Sequence, residues 1–246
     1  MLPIQVLAAG HTEALQYACQ FLTKKGFSVA HNPSKTITHL LLPVPSFENN
    51  GEVKGGKDLQ TILETLPENI TVIGGNLTHP LLENYKTVDL LTDQTYLALN
   101  GRITAYCALS LAMEHLSCTP DGQPVLVIGW GRIGKCLAQL LKALGADVTV
   151  AARKEADRAA VLSLGCNATD IPNISPDKYR VIFNTAPHLL LPDAGACSCK
   201  IDLASDRGIG GENVLWARGL PNKMAPESSG KLIAQRIITL LKEGKL

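Results

Sequence analysis

Three glycines, Gly129, Gly131 and Gly134, have the spacing G-x-G-x-x-G within the stretch VLVIGWGRIGKC. A strand-like apolar run precedes them and an amphipathic helical pattern follows, which is the context in which this spacing binds the diphosphate of a dinucleotide. The first glycine permits a tight turn, the second lets backbone reach the phosphates, and the third lets helix and strand pack closely. The start of the helix, at Arg132 and Ile133, would present N–H groups to the phosphate charge. The alternative is that the glycines serve only the turn.

The next strand, DVTVAA, is followed by two cations, so that the stretch ends in Ala152, Arg153 and Lys154. A carboxylate near this point binds the ribose 2'-hydroxyl of NAD, whereas a guanidinium suits the 2'-phosphate of NADP. Arg153 and Lys154, with Arg132 as a further cation, therefore favour NADP. In the alternative interpretation, Arg153 is a solvated loop charge and Asp157 binds the ribose.

Two later strand-like runs end in polar residues that could reach a nicotinamide, because ligands of open α/β sheets lie across the carboxyl ends of the strands. His188 is the candidate acid or base, and Asn184 and Asp202 complete the predicted catalytic set. His188 could instead be a surface residue, and Asp202 a helix cap or a ribose ligand. The predicted cofactor-binding residues are Gly129, Gly131, Arg132, Ile133, Gly134, Ala152, Arg153, Lys154, Thr185, Ala186, Pro187, Asp202, Leu203 and Ala204.

The elements that must position these residues alternate between short apolar runs and amphipathic helical patterns, which predicts an α/β fold. We expect a Rossmann-type, doubly wound parallel sheet with a smaller N-terminal α/β domain. The predicted domains are 1–93 and 94–225, and the C-terminal helix, 226–246, would pack back on the first. Residues 93–116 predict two connector helices broken at Asn100 and Gly101, and residues 219–234 predict a Gly/Pro-rich turn that leads into the last helix.

Composition excludes several classes of partner. The chain has 246 residues and a net charge of +1 without dense runs of Lys or Arg, so a polynucleotide partner is not expected. We find no stretch of membrane-spanning length and no secretory signal, which predicts a cytoplasmic protein without a membrane partner. Seven cysteines lack paired CxxC spacing, and Cys197 and Cys199 alone do not predict a metal site.

Five stretches resemble, in order and spacing, the dipicolinate synthase A-subunit family, over residues 95 to 246. They are NGRITAYCALSLAMEH, VLVIGWGRIGKCLAQLLKALGADVTVAARKEADRA, VIFNTAP, IDLAS and GLPNKMAPESSGKLIA. That family is related to the 2-hydroxyacid dehydrogenases. In sporulating bacteria it oxidises dihydrodipicolinate to dipicolinate with NADP, beside a flavoprotein-like B subunit. The resemblance implies the same NADP cofactor, a small carboxylated substrate and such a B subunit, while a homo-oligomer stays open.

The chain departs from the family pattern mainly on the substrate side. Tyr106 stands where the family has an acidic residue, Asn222 replaces a glycine, and the segment after Ser205 is altered and shortened. Arg102, Lys223 and Arg207 are the cations that could bind carboxylates. Two alternatives to an enzyme of this family follow: a catalytically silent NADP-binding subunit that works with a partner, and an enzyme like the 2-hydroxyacid dehydrogenases.

Overall fold

The computed structural model describes residues 4–30, 32–56 and 58–246. Residues 1–3, 31 and 57 of the predicted N-terminal domain therefore lie outside the described residues. The chain divides into two compact units, of which one comprises Met1–Asn100 with Pro221–Leu246 and the other comprises Gly101–Leu220. The first unit is thus built from two separate stretches of sequence.

The first unit contains a five-stranded parallel sheet. Its strands are β1 (Gln5–Ala8), β2 (Ser28–Ala30), β3 (His39–Leu41), β4 (Thr71–Gly74) and β5 (Lys86–Asp89), in the order β2-β1-β3-β4-β5. Helices α1 (Glu13–Lys24) and α2 (Leu59–Glu64) and a 3₁₀ turn at Pro80–Leu82 connect them. The central strands β3 and β4 are buried along their whole length, as expected for a parallel sheet covered on both faces.

Helix α3 (Gln94–Glu114) is one continuous helix of 21 residues, so the predicted break at Asn100 and Gly101 is wrong. A Cβ atom on Gly101 would lie only 3.2 Å from the Cβ of Arg132. The glycine therefore permits a close approach of backbone within the second unit and does not end the helix.

The second unit contains a six-stranded parallel sheet in the order β11-β10-β9-β6-β7-β8. Its elements are β6 (Pro124–Ile128), α4 (Arg132–Ala143), β7 (Asp147–Ala151), α5 (Glu155–Ser163), β8 (Asn167–Thr169), a 3₁₀ turn at Pro176–Lys178, β9 (Val181–Asn184), β10 (Cys199–Asp202) and β11 (Val214–Trp216). Counted along the chain, this is the order 3-2-1-4-5-6 of the Rossmann fold. The predicted doubly wound α/β architecture is confirmed.

Strand register brings the carboxyl ends of this sheet to one level. Ile128 pairs with Ala151 on one side and with Asn184 on the other, Asn184 pairs with Asp202, and Asp202 pairs with Trp216. The chain reverses its direction of winding between β6 and β9, which is where a crevice for a ligand forms in such folds.

Residues 220–224 form a short helix, α6 (Leu220–Met224), where a turn was predicted, and the last helix, α7, spans Pro226–Lys242. Helix α7 packs on α1 through Gly230, since a Cβ there would overlap the Ala14 carbonyl oxygen and lie 2.7 Å from the Ala18 nitrogen. An ion pair of 2.7 Å between Arg236 and Asp93 also holds α7 in the first unit. None of the described helices is both long and apolar enough to cross a bilayer.

Candidate functional site

The glycine turn between β6 and α4 is closed by contacts within the second unit. Gly129 has φ +101°, a conformation that favours glycine, and its N–H donates to the Ala151 carbonyl at 2.9 Å. A Cβ on Gly129 would lie 2.6 Å from Thr185 Oγ1, and one on Gly134 would overlap the Gly129 carbonyl oxygen. The first and third glycines are therefore required by packing alone.

Gly131 differs from both, because no atom lies within 4 Å of the position that its Cβ would take. Its φ of −82° and ψ of −166° are open to any residue, and it provides no side chain to cap α4. Gly131 is a suitable N-cap residue, but no contact among the described residues requires a glycine here. The open space at the start of a 12-residue helix fits an anionic group that approaches the backbone closely.

A crevice of about 380 Å³ lies at this turn. Eight of the predicted residues line it, namely Gly129, Gly131, Ala152, Arg153, Lys154, Ala186, Pro187 and His188, and so do Trp130, Ala151, Asp157, Ile171 and Leu190. Arg132, Ile133, Gly134, Asn184, Thr185, Asp202, Leu203 and Ala204 lie outside the lining in the described part of the chain. The glycine turn, the end of β7 and the loop after β9 thus surround one cavity.

The end of β7 carries three cations. Arg153 and Lys154 are exposed, and neither has a carboxylate at salt-bridge distance among the described residues. Arg158, which the sequence did not single out, donates from Nη1 to the carbonyls of Ala152 and Arg153, at 2.8 Å each. Asp157 is half-buried and lines the same crevice. The crevice therefore contains both Arg153, which would bind a 2'-phosphate, and Asp157, which would bind a free ribose hydroxyl.

Asn184 and Asp202 form a buried hydrogen-bond network behind the crevice. Asn184 Nδ2 donates to Asp202 Oδ1 at 2.8 Å and to the Ala186 carbonyl at 3.0 Å, and Asn184 Oδ1 accepts from the Ala186 N–H. Asp202 Oδ2 accepts from the N–H groups of Gly208 and Ile209, at 2.7 and 3.1 Å. The network therefore joins the loop after β9 to the loop after β10.

Asp202 has no exposed surface, and its Oδ1 also accepts from the Ala204 N–H at 3.1 Å. With four hydrogen bonds inside the fold, this carboxylate holds backbone in place, as does the equally buried Asn184. The geometry favours positioning for both residues, and their predicted part in catalysis remains a prediction.

His188 is exposed, lines the crevice, and its backbone N–H donates to the Ala186 carbonyl at 3.0 Å. Thr185 supports the same loop, because its hydroxyl donates to the Ile128 carbonyl at 2.9 Å. Of the three predicted catalytic residues, His188 is the one whose side chain a ligand in the crevice could reach.

The positions that depart from the family pattern have structural partners of their own. Tyr106 is exposed and its ring lies 5.8 Å from the Arg102 guanidinium, whose pKa is raised by the hydrogen bond with Tyr106. Asn222 Nδ2 donates to the Val44 carbonyl at 2.8 Å within the first unit. Lys223 and Ser205 are exposed.

Cys197 and Cys199 are buried thiols in the second unit. The Cys197 thiol donates to the Cys199 carbonyl at 3.3 Å, and burial raises the pKa of the Cys199 thiol to about 11. No group of three His, Cys, Asp or Glu side chains that could hold a metal ion occurs among the residues described.

No family model matches the chain. The chain is 28% identical over 238 residues to the A subunit of dipicolinate synthase from Bacillus subtilis, which covers 86% of this chain and 80% of that protein. The resemblance seen in the sequence therefore extends over most of the chain, including its N-terminal part.

Solved structures match the fold along nearly the whole chain. The A subunit of dipicolinate synthase from Bacillus halodurans superposes with a TM-score of 0.82 at 24% identity, covering 98% of this chain and 99% of that one. The transhydrogenase from Sinorhizobium meliloti gives a TM-score of 0.70 at 16% identity, covering 97% and 94%. At these identities the structural matches establish a dehydrogenase-type fold and nothing beyond it.

Proposed function

We propose that the chain is a nicotinamide-dependent oxidoreductase that prefers NADP and acts on a small carboxylated substrate. The observation that carries this proposal is the open space at Gly131, where helix α4 begins beside a crevice and no neighbouring atom requires a glycine. A dinucleotide diphosphate is the group for which the fingerprint keeps that glycine. Gly129 and Gly134 shape the turn, and the first turn of α4 would hold the phosphate oxygens.

The preference for NADP rests on the cations at the end of β7. Arg153 and Lys154 line the crevice without a carboxylate partner among the described residues, and Arg158 adds a third positive charge at the same strand end. A 2'-phosphate would be attracted by these groups, whereas Asp157 would offer an acceptor to a free ribose hydroxyl.

The reaction itself is a transfer of hydride from the substrate to the cofactor. A bound nicotinamide supplies the hydride acceptor, and His188 is positioned at the crevice to take the accompanying proton. Asn184 and Asp202 fix the backbone of the two loops that would face the reacting atoms. The likeness to the A subunit of dipicolinate synthase supports dihydrodipicolinate as the substrate, dipicolinate as the product and sporulation as the setting.

A second polypeptide is part of the proposal, because the relative is one subunit of its enzyme. We propose that this chain works beside a flavoprotein-like B subunit. Seven free cysteines are typical of a reducing compartment, which supports action in the cytoplasm.

The first experiment compares the two cofactors. Arg153→Asp replaces an attraction for the 2'-phosphate by a repulsion, and we expect the Kd of NADPH in calorimetry to rise by at least about tenfold while that of NADH changes little. Lys178→Asp, which makes the same charge change at the amino end of β9, is the matched control. Equal effects on both nucleotides would remove the NADP assignment.

The second experiment separates an enzyme from a silent binding protein. NADP reduction is followed by absorbance with freshly prepared dihydrodipicolinate, with and without a B-type partner. We expect turnover in the wild type and a decrease of about 10²-fold or more in His188→Ala with unchanged NADPH affinity. Tight NADPH binding without turnover under both conditions would favour the silent protein. The observation that supports this alternative is that the side chains of Asn184 and Asp202 form hydrogen bonds within the fold.

A further inference from the structure

Two arginines and a tryptophan come together at the carboxyl ends of β10 and β11. The guanidinium of Arg207 lies 5.1 Å from the centre of the Trp216 ring, and that of Arg218 lies 5.2 Å from it. We propose that Arg207, Trp216 and Arg218, named here the arginine clamp, bind the two carboxylates of a small planar dicarboxylate. This deepens the proposed function and rests on it for the part that the clamp plays in a reaction.

The clamp is built on anchored backbone. Arg207 directly precedes Gly208 and Ile209, whose N–H groups donate to Asp202 Oδ2. The Trp216 indole N–H donates to the Ala204 carbonyl at 3.2 Å, which ties β11 to the same loop. The backbone beside Arg207 and the Trp216 indole are therefore held in place relative to the end of β10.

Within the described chain, the two guanidiniums of the clamp contact the Trp216 ring but pair with no carboxylate. Arg207 and Arg218 are exposed, and no described carboxylate lies at salt-bridge distance from either guanidinium. Asp206 is next to Arg207 in sequence, but its Oδ2 accepts from the Ser205 hydroxyl at 3.2 Å. Trp216 keeps 40% of its surface exposed on the edge strand of the sheet. Because a guanidinium fork matches the geometry of a carboxylate or phosphate, these two guanidiniums remain available for an anionic ligand.

The position of the clamp relates it to the crevice of the same unit. Gly208 packs against the loop after β9 so closely that a Cβ there would overlap Asn184 Nδ2 and lie 2.5 Å from the His188 carbonyl oxygen. The ADP half of a dinucleotide occupies the β6-α4-β7 side of a Rossmann sheet, and the nicotinamide half occupies the other side. Strands β9, β10 and β11 form that other side, so the clamp lies on the side of the reacting end.

The chemistry of the ligand follows from the donors. A guanidinium presents a planar fork of N–H groups that matches one carboxylate in a bidentate manner, so two guanidiniums suit two carboxylates. Inorganic phosphate carries the same kind of charge in a single compact group, and a monocarboxylate would use one fork only. A planar dicarboxylate such as dipicolinate is thus the probe that distinguishes these cases.

The fluorescence of Trp216 reports binding of a ligand to the clamp directly and requires no enzymatic turnover. The chain has two tryptophans, so Trp130→Phe leaves Trp216 as the sole indole emitter. Titration of this variant with dipicolinate in the absence of cofactor should change the Trp216 emission in a saturable manner. We expect picolinate and inorganic phosphate to bind at least about tenfold more weakly, because each loses one bidentate contact.

Arginine variants on this background test the clamp residues themselves. Arg207→Gln and Arg218→Gln should each raise the Kd of dipicolinate by about tenfold or more, and Arg207→Lys should give a smaller increase, since it keeps the charge without the fork. Lys178→Gln, which removes an exposed cation near the amino end of β9, should have no effect. Thermal unfolding by circular dichroism should be the same for all of them, because both arginines are exposed.

Several results would overturn the clamp: no emission change, equal affinity for phosphate and dipicolinate, or unchanged affinity in both glutamine variants. The proposed function is tested separately by calorimetry with NADPH on the wild type and on the arginine variants made without Trp130→Phe, because Trp130 lines the crevice. Loss of dipicolinate binding with intact NADPH binding in the arginine variants supports the clamp. A wild type that binds dipicolinate but no nicotinamide nucleotide overturns the proposed function and leaves the clamp as an anion site.

Discussion

Substitution of Gly131 by alanine separates folding from cofactor binding. The new Cβ would have no protein atom within 4 Å, and the backbone angles of −82° and −166° are allowed for alanine. The loss of a glycine cap and the reduced entropy of the unfolded chain nearly cancel, so we expect the free energy of unfolding to change by less than about 1 kcal/mol.

Cofactor binding should respond quite differently to Gly131→Ala. The methyl group would occupy the space through which a diphosphate approaches the start of α4. The loss of one hydrogen bond to a charged oxygen costs about 1.5–3 kcal/mol. This cost corresponds to an increase in Kd of roughly 10- to 100-fold. NADH and NADPH should weaken equally, in contrast to Arg153→Asp, because the diphosphate is common to both.

The assay for Gly131→Ala pairs calorimetry with each nucleotide and urea unfolding. Gly134→Ala is the matched control, because its Cβ would overlap the Gly129 carbonyl oxygen and lie 3.1 Å from Thr185 Oγ1. Overpacking of that kind should lower the stability by about 1–3 kcal/mol. If Gly131→Ala bound both nucleotides as tightly as the wild type, or lost as much stability as Gly134→Ala, the diphosphate assignment of Gly131 would be wrong.

Three further predictions concern stability. Arg236→Met should lower the free energy of unfolding by about 2 kcal/mol at neutral pH, because Asp93 and Arg236 are only 15% and 12% exposed. The pair of Lys245 with Glu243 is equally short but exposed, so Lys245→Met should leave the free energy of unfolding nearly unchanged. Burial alone would raise the pKa of Asp93, but hydrogen bonds from Arg236 and from backbone outweigh it and lower the pKa, so this stabilisation should be lost as the pH falls below about 4. Burial and the nearby Lys86 lower the pKa of His39, so unfolding should become easier as the pH falls from about 6.5, and His39→Leu should flatten that part of the pH profile in chemical denaturation. Asp202→Asn replaces one of the two accepting oxygens by an NH₂ group, which would face a backbone N–H or the Asn184 amide without a hydrogen bond. The substitution should lower the melting temperature by an amount equivalent to about 1–3 kcal/mol. An unchanged melting temperature would contradict the positioning function of Asp202.

The sequence predicted the nucleotide half of the fold closely, because its signals are local. The glycine spacing lies between a buried run and an amphipathic helix, and the last helix begins at Pro226, as predicted, because proline suits the first position of a helix. The short strands Ser28–Ala30, Lys86–Asp89 and Asn167–Thr169 were missed. They are edge strands with exposed positions, so they carry no continuous apolar run.

Features that depend on distant contacts could not be read from the sequence. In the sequence, Asp202 has the pattern of a solvent-exposed polar residue at the end of a strand. In the structure it is buried and accepts hydrogen bonds from the N–H groups of Gly208 and Ile209, six and seven residues farther along the chain. Arg158 reaches back to the end of β7 from inside a helix, and Gly101 is explained only by its contact with Arg132. Each of these depends on which backbone lies opposite, which local spacing does not specify.

The contact between α7 and α1 has a consequence for the order in which the polypeptide folds during synthesis. Helix α1 leaves the ribosome early, but the surface around Ala14 and Ala18 against which Gly230 packs stays uncovered until residues 226–242 have been translated. Residues 101–220 are fully synthesised before that moment, so the second unit can fold while residues 1–100 still lack the helix that covers α1. Truncation of the gene before codon 226 should therefore yield nascent chains that aggregate through their N-terminal half while the nucleotide half still folds.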